Sequence, residues 1–159
     1  MSDTSQSLGP FSTERESSAI LCVDDEPRIL TALERTLGRE PYAVYRAMDA
    51  PAALEILEGS PIKVVIADQR MPGLAGSDLL HEIGRRWPQV GKIILTGYPG
   101  QDVLLRGMEA EIDFLMTKPW DEETLRRAVR RLILEVDRTR AGRLKRGGDS
   151  WQDLGGEGG

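Results

Sequence analysis

With 159 residues, 40% apolar and 30% charged, the chain can bury one sizeable core but is short for two. A formal net charge of -5 argues against an overall nucleic-acid binder, and a single cysteine, Cys22, excludes an intrachain disulfide. No apolar run approaches the roughly 20 residues needed to span a bilayer, and the Ser-rich start has no hydrophobic segment of signal type, which points to a cytoplasmic protein.

Residues 1–17 (MSDTSQSLGPFSTERES) are polar, carry Gly9-Pro10 and keep no period, so they read as a disordered lead into a domain over 18–140. Short apolar runs then alternate with helical patterns. The expected order is strand 19–24, helix 26–37, strand 42–47, helix 50–58, strand 62–67, helix 77–87, strand 91–95, helix 100–109, strand 112–117 and a helix from 121 onward. Strands alternating with helices in this way specify an α/β domain with a parallel sheet. AILCV, VVIA and IIL lack polar alternation, as central strands covered on both faces do, and Cys22 within the first run reads as a small buried hydrophobe. The mixed run AVYRA suits an edge. Pro27 fits a first helical turn, and Asp121, Glu122 and Glu123 put negative charge where a helix dipole favours it.

The last helix carries an apolar stripe of Leu125, Val129, Leu132 and Val136, with arginines over much of the remaining surface, and its pattern persists to about Arg140. From Arg126 to Arg146 there are nine Lys or Arg against two acids, a segment of +7 in a chain otherwise near -12. Such a face is usually just solvated. A helix that long would also project past the domain, where it could meet a second copy or an acidic partner, nucleic acid included; charge alone does not choose. Residues 141–159 read as a basic, then Gly-rich, flexible tail.

Four of the apolar runs end on polar residues: Asp24-Asp25, Asp68, Thr96 and Lys118. If those runs are parallel strands, their C-terminal ends share one edge, and three carboxylates, a hydroxyl and an ammonium converge there. Two carboxylates within about 4 Å repel by roughly 4 kcal/mol at an effective dielectric near 20, so a cation must offset them. An all-oxygen set without a His or Cys cluster favours a hard divalent ion, Mg2+. With Lys118 and Thr96 beside it, the site suits a phosphoryl group, and one carboxylate can itself be the nucleophile.

Asp24-Asp25, the run Asp68-x-x-Met71-Pro72-x-x-x-Gly76, Thr96 and Lys118-Pro119, in this order and spacing, resemble the receiver domain of two-component response regulators over roughly Ala19 to Asp137. The resemblance implies a flavodoxin-like, doubly wound sheet of five parallel strands in the order 2-1-3-4-5. It implies that Asp68 accepts a phosphoryl group from a sensor histidine kinase or phosphotransfer protein. Asp25 and Asp68 would bind Mg2+ with the backbone carbonyl of Arg70, Asp24 would help through water, Thr96 and Lys118 would contact the phosphoryl oxygens, and the Lys118-Pro119 bond would be cis. The wording VDDEPRILTALERTL, ADQRMPG, RRWP, ILTGY and FLMTKPW is most similar to receivers of HD-GYP-type regulators. After the receiver about 20 residues remain, too few to fold alone, so the expectation is a stand-alone receiver or one lacking its output domain.

One position departs from the family pattern. Three residues before Lys118, where receivers commonly carry an aromatic switch residue, stands Leu115; Phe114 is one earlier and should face the opposite side of the strand. Arg70 and Tyr98, each two residues beyond a site residue, occupy positions where the family tunes hydrolysis, and their bulk implies slow self-dephosphorylation. The downstream effector is not named by the sequence, and the face formed by the helix near 100–109, the strand at 112–117 and the last helix is the expected homodimer or partner surface. His81 reads as a surface residue, Trp87 and Trp120 as packing residues, and Trp151 as an isolated aromatic. The competing functions are a phosphatase or mutase, disfavoured because Asp68 follows the third strand with no room for a cap domain, and a phosphorylation-independent scaffold of the same fold.

Overall fold

The structure is a computed structural model that describes residues 18–146 apart from Pro99, with the backbone alone for 141–146. Expectations that fall on the N-terminal lead, on Trp151 and on the end of the tail lie outside the described residues. In chain order the elements are β1 (Ala19–Val23), α1 (Pro27–Leu37), β2 (Ala43–Ala47), α2 (Ala50–Gly59), β3 (Ile62–Asp68), α3 (Gly76–Arg86), β4 (Gly91–Thr96), α4 (Gln101–Glu109), β5 (Phe114–Thr117) and α5 (Glu122–Arg146).

The strands form one sheet, β2-β1-β3-β4-β5, with each neighbouring pair parallel. Strand alternation divides the core into two layers. Leu21, Val23, Val65, Ala67 and Ile94 face Ala53 and Leu57 of α2 and Leu79, Leu80 and Ile83 of α3. On the other side Ile20, Cys22, Val64, Ile66, Ile93 and Leu95 meet Leu30, Leu33 and Leu37 of α1 and Leu125, Val129 and Leu132 of α5. Because both faces are covered, β1 and β3 are buried along their whole length, as their unbroken apolar runs require. AVYRA does take an edge, with Tyr45 and Arg46 exposed. Burial pushes the Cys22 thiol up to about 12, which leaves it an inert core residue.

Helix ends follow local chemistry. Pro27 opens α1, the Asp49 side chain accepts the Ala52 N–H at 2.9 Å to cap α2, and Asp121 accepts from both the Thr124 N–H and hydroxyl at 2.9 and 2.7 Å to cap α5. The fifth strand starts at Phe114, two residues after the expected 112, because Ile112 closes α4. Its N–H reaches the Gly107 carbonyl at 3.1 Å while Glu111 takes a left-handed φ of 58°. The last helix continues to Arg146, past the Arg140 read from the pattern. One interior glycine, Gly142, costs only about 1 kcal/mol, and Arg143, Leu144 and Lys145 are good helix formers.

Candidate functional site

Strand register assembles the site. Val23 pairs with Ala67, so Asp24 comes level with Asp68. Asp68 in turn pairs with Leu95, and Thr96 with Thr117, which sets Thr96 and then Lys118 one step further along the same C-terminal edge. Asp24, Asp25 and Asp68 bring one oxygen each within 4.8 Å of one another, and Asp24 and Asp68 are buried. The Lys118 ammonium bridges the buried pair, donating to Asp24 Oδ2 at 2.8 Å and lying 3.1 Å from Asp68 Oδ1. Among the described residues this puts three carboxylates against one ammonium, a net charge of -2.

Electrostatics follow from that crowding. Burial, and then the neighbouring Asp24 charge, push the Asp68 carboxyl above the usual carboxylate range, although Lys118 and a backbone hydrogen bond from Arg70 pull the other way. Lys118 feels burial pushing its ammonium down, but hydrogen bonds to Asp24 and Asp68 outweigh it and hold the group above its ordinary value. The three carboxylates suit a divalent ion by two tests. Their donors are oxygens, and the charge left over after Lys118 is what such an ion would cancel.

Around this centre, the other Asp24 oxygen accepts the Glu26 N–H at 2.9 Å, tying the β1–α1 turn to the carboxylate. Thr96 is fully buried and its Oγ1 accepts the Tyr98 N–H at 3.1 Å, which leaves the hydroxyl proton to be donated. The Arg70 guanidinium lies 4.3 Å from the centroid of the exposed Tyr98 ring, joining the loops after β3 and β4. Those loops border an open cleft of about 670 Å³ that Asp25, Gln69, Arg70 and Tyr98 help line. The Lys118-Pro119 bond is cis, as the resemblance implied.

A family model described as the response regulator receiver domain matches residues 20–130. The chain belongs to that family. Its relatives include the hydrogenase transcriptional regulatory protein HoxA of Cupriavidus necator, 37% identical over 119 residues that make up 74% of this chain and 24% of that protein. The response regulator protein PilR of Pseudomonas aeruginosa is 36% identical over 69% of this chain and 24% of its own length. The chain thus spans about a quarter of the length of each of these two relatives. Among solved structures, the signal receiver domain of an HD domain-containing protein from Pseudomonas fluorescens Pf-5 superposes with a TM-score of 0.76 at 31% identity, covering 79% of this chain and 93% of that one. A receiver domain from Methanospirillum hungatei gives a TM-score of 0.73 at 26% identity over 77% and 98% of the two chains. Receivers are phosphoacceptor signalling domains of two-component systems, regulators rather than true enzymes. No helix among the described residues is long and apolar enough to cross a membrane.

In this receiver, Leu115 and Phe114 part ways as strand geometry demands. Leu115 packs against the layer of α2 and α3, and Phe114 against that of α1 and α5, so the aromatic does not stand in for the expected switch residue. His81 is exposed, while Trp87 and Trp120 each pack against a core layer. Three further residues shape the site, of which Gly76 belongs to the run that starts at Asp68 in the sequence, while Gln69 and Thr36 carried little signal in the chain. Gln69 is buried and binds both the Ser77 N–H (2.8 Å) and hydroxyl (3.1 Å), clamping the loop that follows Asp68 to the start of α3. Gly76 passes so close to the Asp68 backbone that a Cβ would strike its carbonyl, with the carbonyl carbon only 2.9 Å away. Thr36 is a buried polar residue on the apolar face of α1, and its signal in the chain is that mismatch with the helical period, since a buried hydroxyl requires a partner.

Proposed function

We propose that this receiver accepts a phosphoryl group on Asp68 from a sensor histidine kinase or phosphotransfer protein, and that the modification shifts a two-state equilibrium sensed by a partner. The observation that supports it best is Lys118 bridging Asp24 and Asp68 beside Asp25, a centre with two uncompensated negative charges. Asp24, Asp25 and Asp68 would hold Mg2+, joined by the Arg70 carbonyl. When bound, the ion would supply charge neutralisation for the phosphoryl oxygens. The Asp68 oxygen attacks phosphorus, a P–O bond forms as the P–N bond of the phosphohistidine breaks, and the bonding pair returns to the imidazole, which takes up a proton. Lys118, released from Asp68, and the Thr96 hydroxyl then meet the phosphoryl oxygens.

Modification of this kind adds about two negative charges, enough to rearrange the loops that end β3 and β4. Arg70 stacked on Tyr98 shields the acceptor from water, so the phospho-form persists. The switch unit is the domain over 18–140, working in the cytoplasm, with α5 continuing beyond it to Arg146. Its output surface is the α4–β5–α5 face, where Leu104, Leu105 and Met108 are exposed, used toward an effector or a second copy, with the long α5 as a further dimer contact. A phosphorylation-independent scaffold is favoured by one observation alone, Leu115 at the switch position.

The test is intact mass after incubation with Mg2+ and a small phosphodonor. The chain gains one phosphoryl group, Asp68→Asn gains none, and removing Mg2+ suppresses the gain. The adduct lasts for minutes or longer in Mg2+ buffer. Unmodified wild-type chain, or a modified Asp68→Asn variant, would refute the assignment; loss of the adduct within seconds would refute the shielding by Arg70 and Tyr98.

A further inference from the structure

We propose that Thr36 and Trp120 are positioning residues for Lys118, and that they form the route by which movement of that lysine reaches α1 and α5. The Trp120 indole N–H donates to Thr36 Oγ1 at 3.1 Å across 84 residues of sequence. Thr36 Oγ1 in turn lies 3.4 Å from Glu122 Oε2, to which it donates, and Arg126 reaches the Thr36 carbonyl at 3.4 Å. One buried hydroxyl therefore links the end of α1, the residue two beyond Lys118 and the first turn of α5.

Local chemistry explains why that link matters. Lys118 is held by its N–H on the Thr96 carbonyl at 2.9 Å and by the two carboxylates. Pro119 has no N–H and is exposed, so it adds no donor. Among the described residues the indole bond is the hydrogen bond that Trp120 makes, and its ring packs against the layer of α1 and α5. A threonine facing apolar neighbours in α1 needs both the indole and Glu122 to satisfy its hydroxyl as acceptor and as donor, a requirement that leucine or valine at that place would avoid. The hydroxyl both accepts and donates here, which fits a coupling element better than a packing one. With Leu115 in place of an aromatic, this link also provides a path from the site that does not run through the switch position.

The inference rests on the phosphoacceptor reading for its meaning, yet its test does not need phosphorylation. In the full chain, labelling by an amine-reactive reagent is followed residue by residue by mass spectrometry for Lys118, Lys63 and Lys92. Lys63 and Lys92 are buried, and serve as reporters of global opening. Thr36→Val and Trp120→Phe should each raise the Lys118 labelling rate about three- to tenfold, the equivalent of one net hydrogen bond, with Lys63 and Lys92 unchanged. Thr36→Ser, which keeps the hydroxyl, should return Lys118 to the wild-type rate, and the rate of phosphorylation should fall and recover in parallel. Wild-type labelling of Lys118 in both variants, or a Thr36→Ser variant as reactive as Thr36→Val, would overturn the proposal. Should Thr36→Val open the fold, seen as labelling of Lys63 and Lys92, Trp120→Phe decides alone. A wild-type chain that takes no phosphoryl group would refute the functional reading while the labelling still decides this one.

Discussion

Replacing Lys118 by methionine keeps the length of the side chain and deletes the ammonium between two buried carboxylates. At an effective dielectric near 20, contacts of 2.8 and 3.1 Å each correspond to an attraction of about 5 to 6 kcal/mol before desolvation, and the Asp24–Asp68 repulsion across at most 4.8 Å to about 3.5 kcal/mol. Desolvation of the lysine, whose side chain is 18% exposed, cancels much of the attraction, and breaking a buried pair by removing one partner costs about 3 kcal/mol net. The expected loss at pH 7.5 is therefore about 3 kcal/mol.

The pH dependence has a definite sign. Asp68 already titrates above its ordinary range in the folded protein, and losing Lys118 raises it further. A carboxyl with a raised folded value favours folding below its unfolded value and costs stability as pH rises through the folded one, so the deficit of Lys118→Met is full at neutral pH and shrinks toward acid. The wild-type lysine, raised in the folded state, contributes stability below its unfolded value of 10.5 and loses it as pH climbs through the higher folded value. Mg2+ should stabilise the variant more than the wild type, because the ion then supplies the positive charge that Lys118 gave to Asp24 and Asp68. At a concentration of 100 times Kd, binding alone contributes about 2.7 kcal/mol. Urea unfolding at pH 7.5 and pH 5, with and without Mg2+, measures the deficit, its shrinkage toward acid and the Mg2+ effect. A variant within about 0.5 kcal/mol of wild type at pH 7.5, or a deficit equal at both pH values, would refute this electrostatic account. Pairing Lys118→Met with Asp68→Asn should restore most of the loss, as a double-mutant cycle with a coupling of about 1 to 3 kcal/mol.

Two further outcomes test the scaffold around the site. Gly76→Ala forces a methyl group into the Asp68 carbonyl and should destabilise the domain by about 3 kcal/mol in urea unfolding and slow phosphorylation, since backbone on both sides has little room to yield. Glu111→Gly removes the left-handed strain at the end of α4 and should raise stability by about 1 kcal/mol, read as an increase in Tm with the phosphorylation rate unchanged.

Much of this receiver is legible in the chain, for a local reason. Strand runs such as AILCV and VVIA mark buried central strands because a parallel sheet covered on both faces tolerates no polar alternation, and a parallel sheet puts all its strand ends on one edge. Asp24, Asp25, Asp68, Thr96 and Lys118 could therefore be placed together before any contact was known, and the opposite facing of Leu115 and Phe114 follows from the two-residue period of a strand. The end of α5 was less legible, since a single Gly142 weakens a helix without ending it.

What the tertiary structure alone decided is who touches whom. That Lys118 bridges Asp24 and Asp68, rather than merely standing near them, depends on packing that joins residues 94 apart in the chain. The same holds for Arg70 over Tyr98 and for Trp120 on Thr36. Patterns of polarity specify which face or edge a residue occupies, because those follow from the period of its own element. A hydrogen bond a few ångströms long depends on how separate elements are set against one another, and no single segment carries that information.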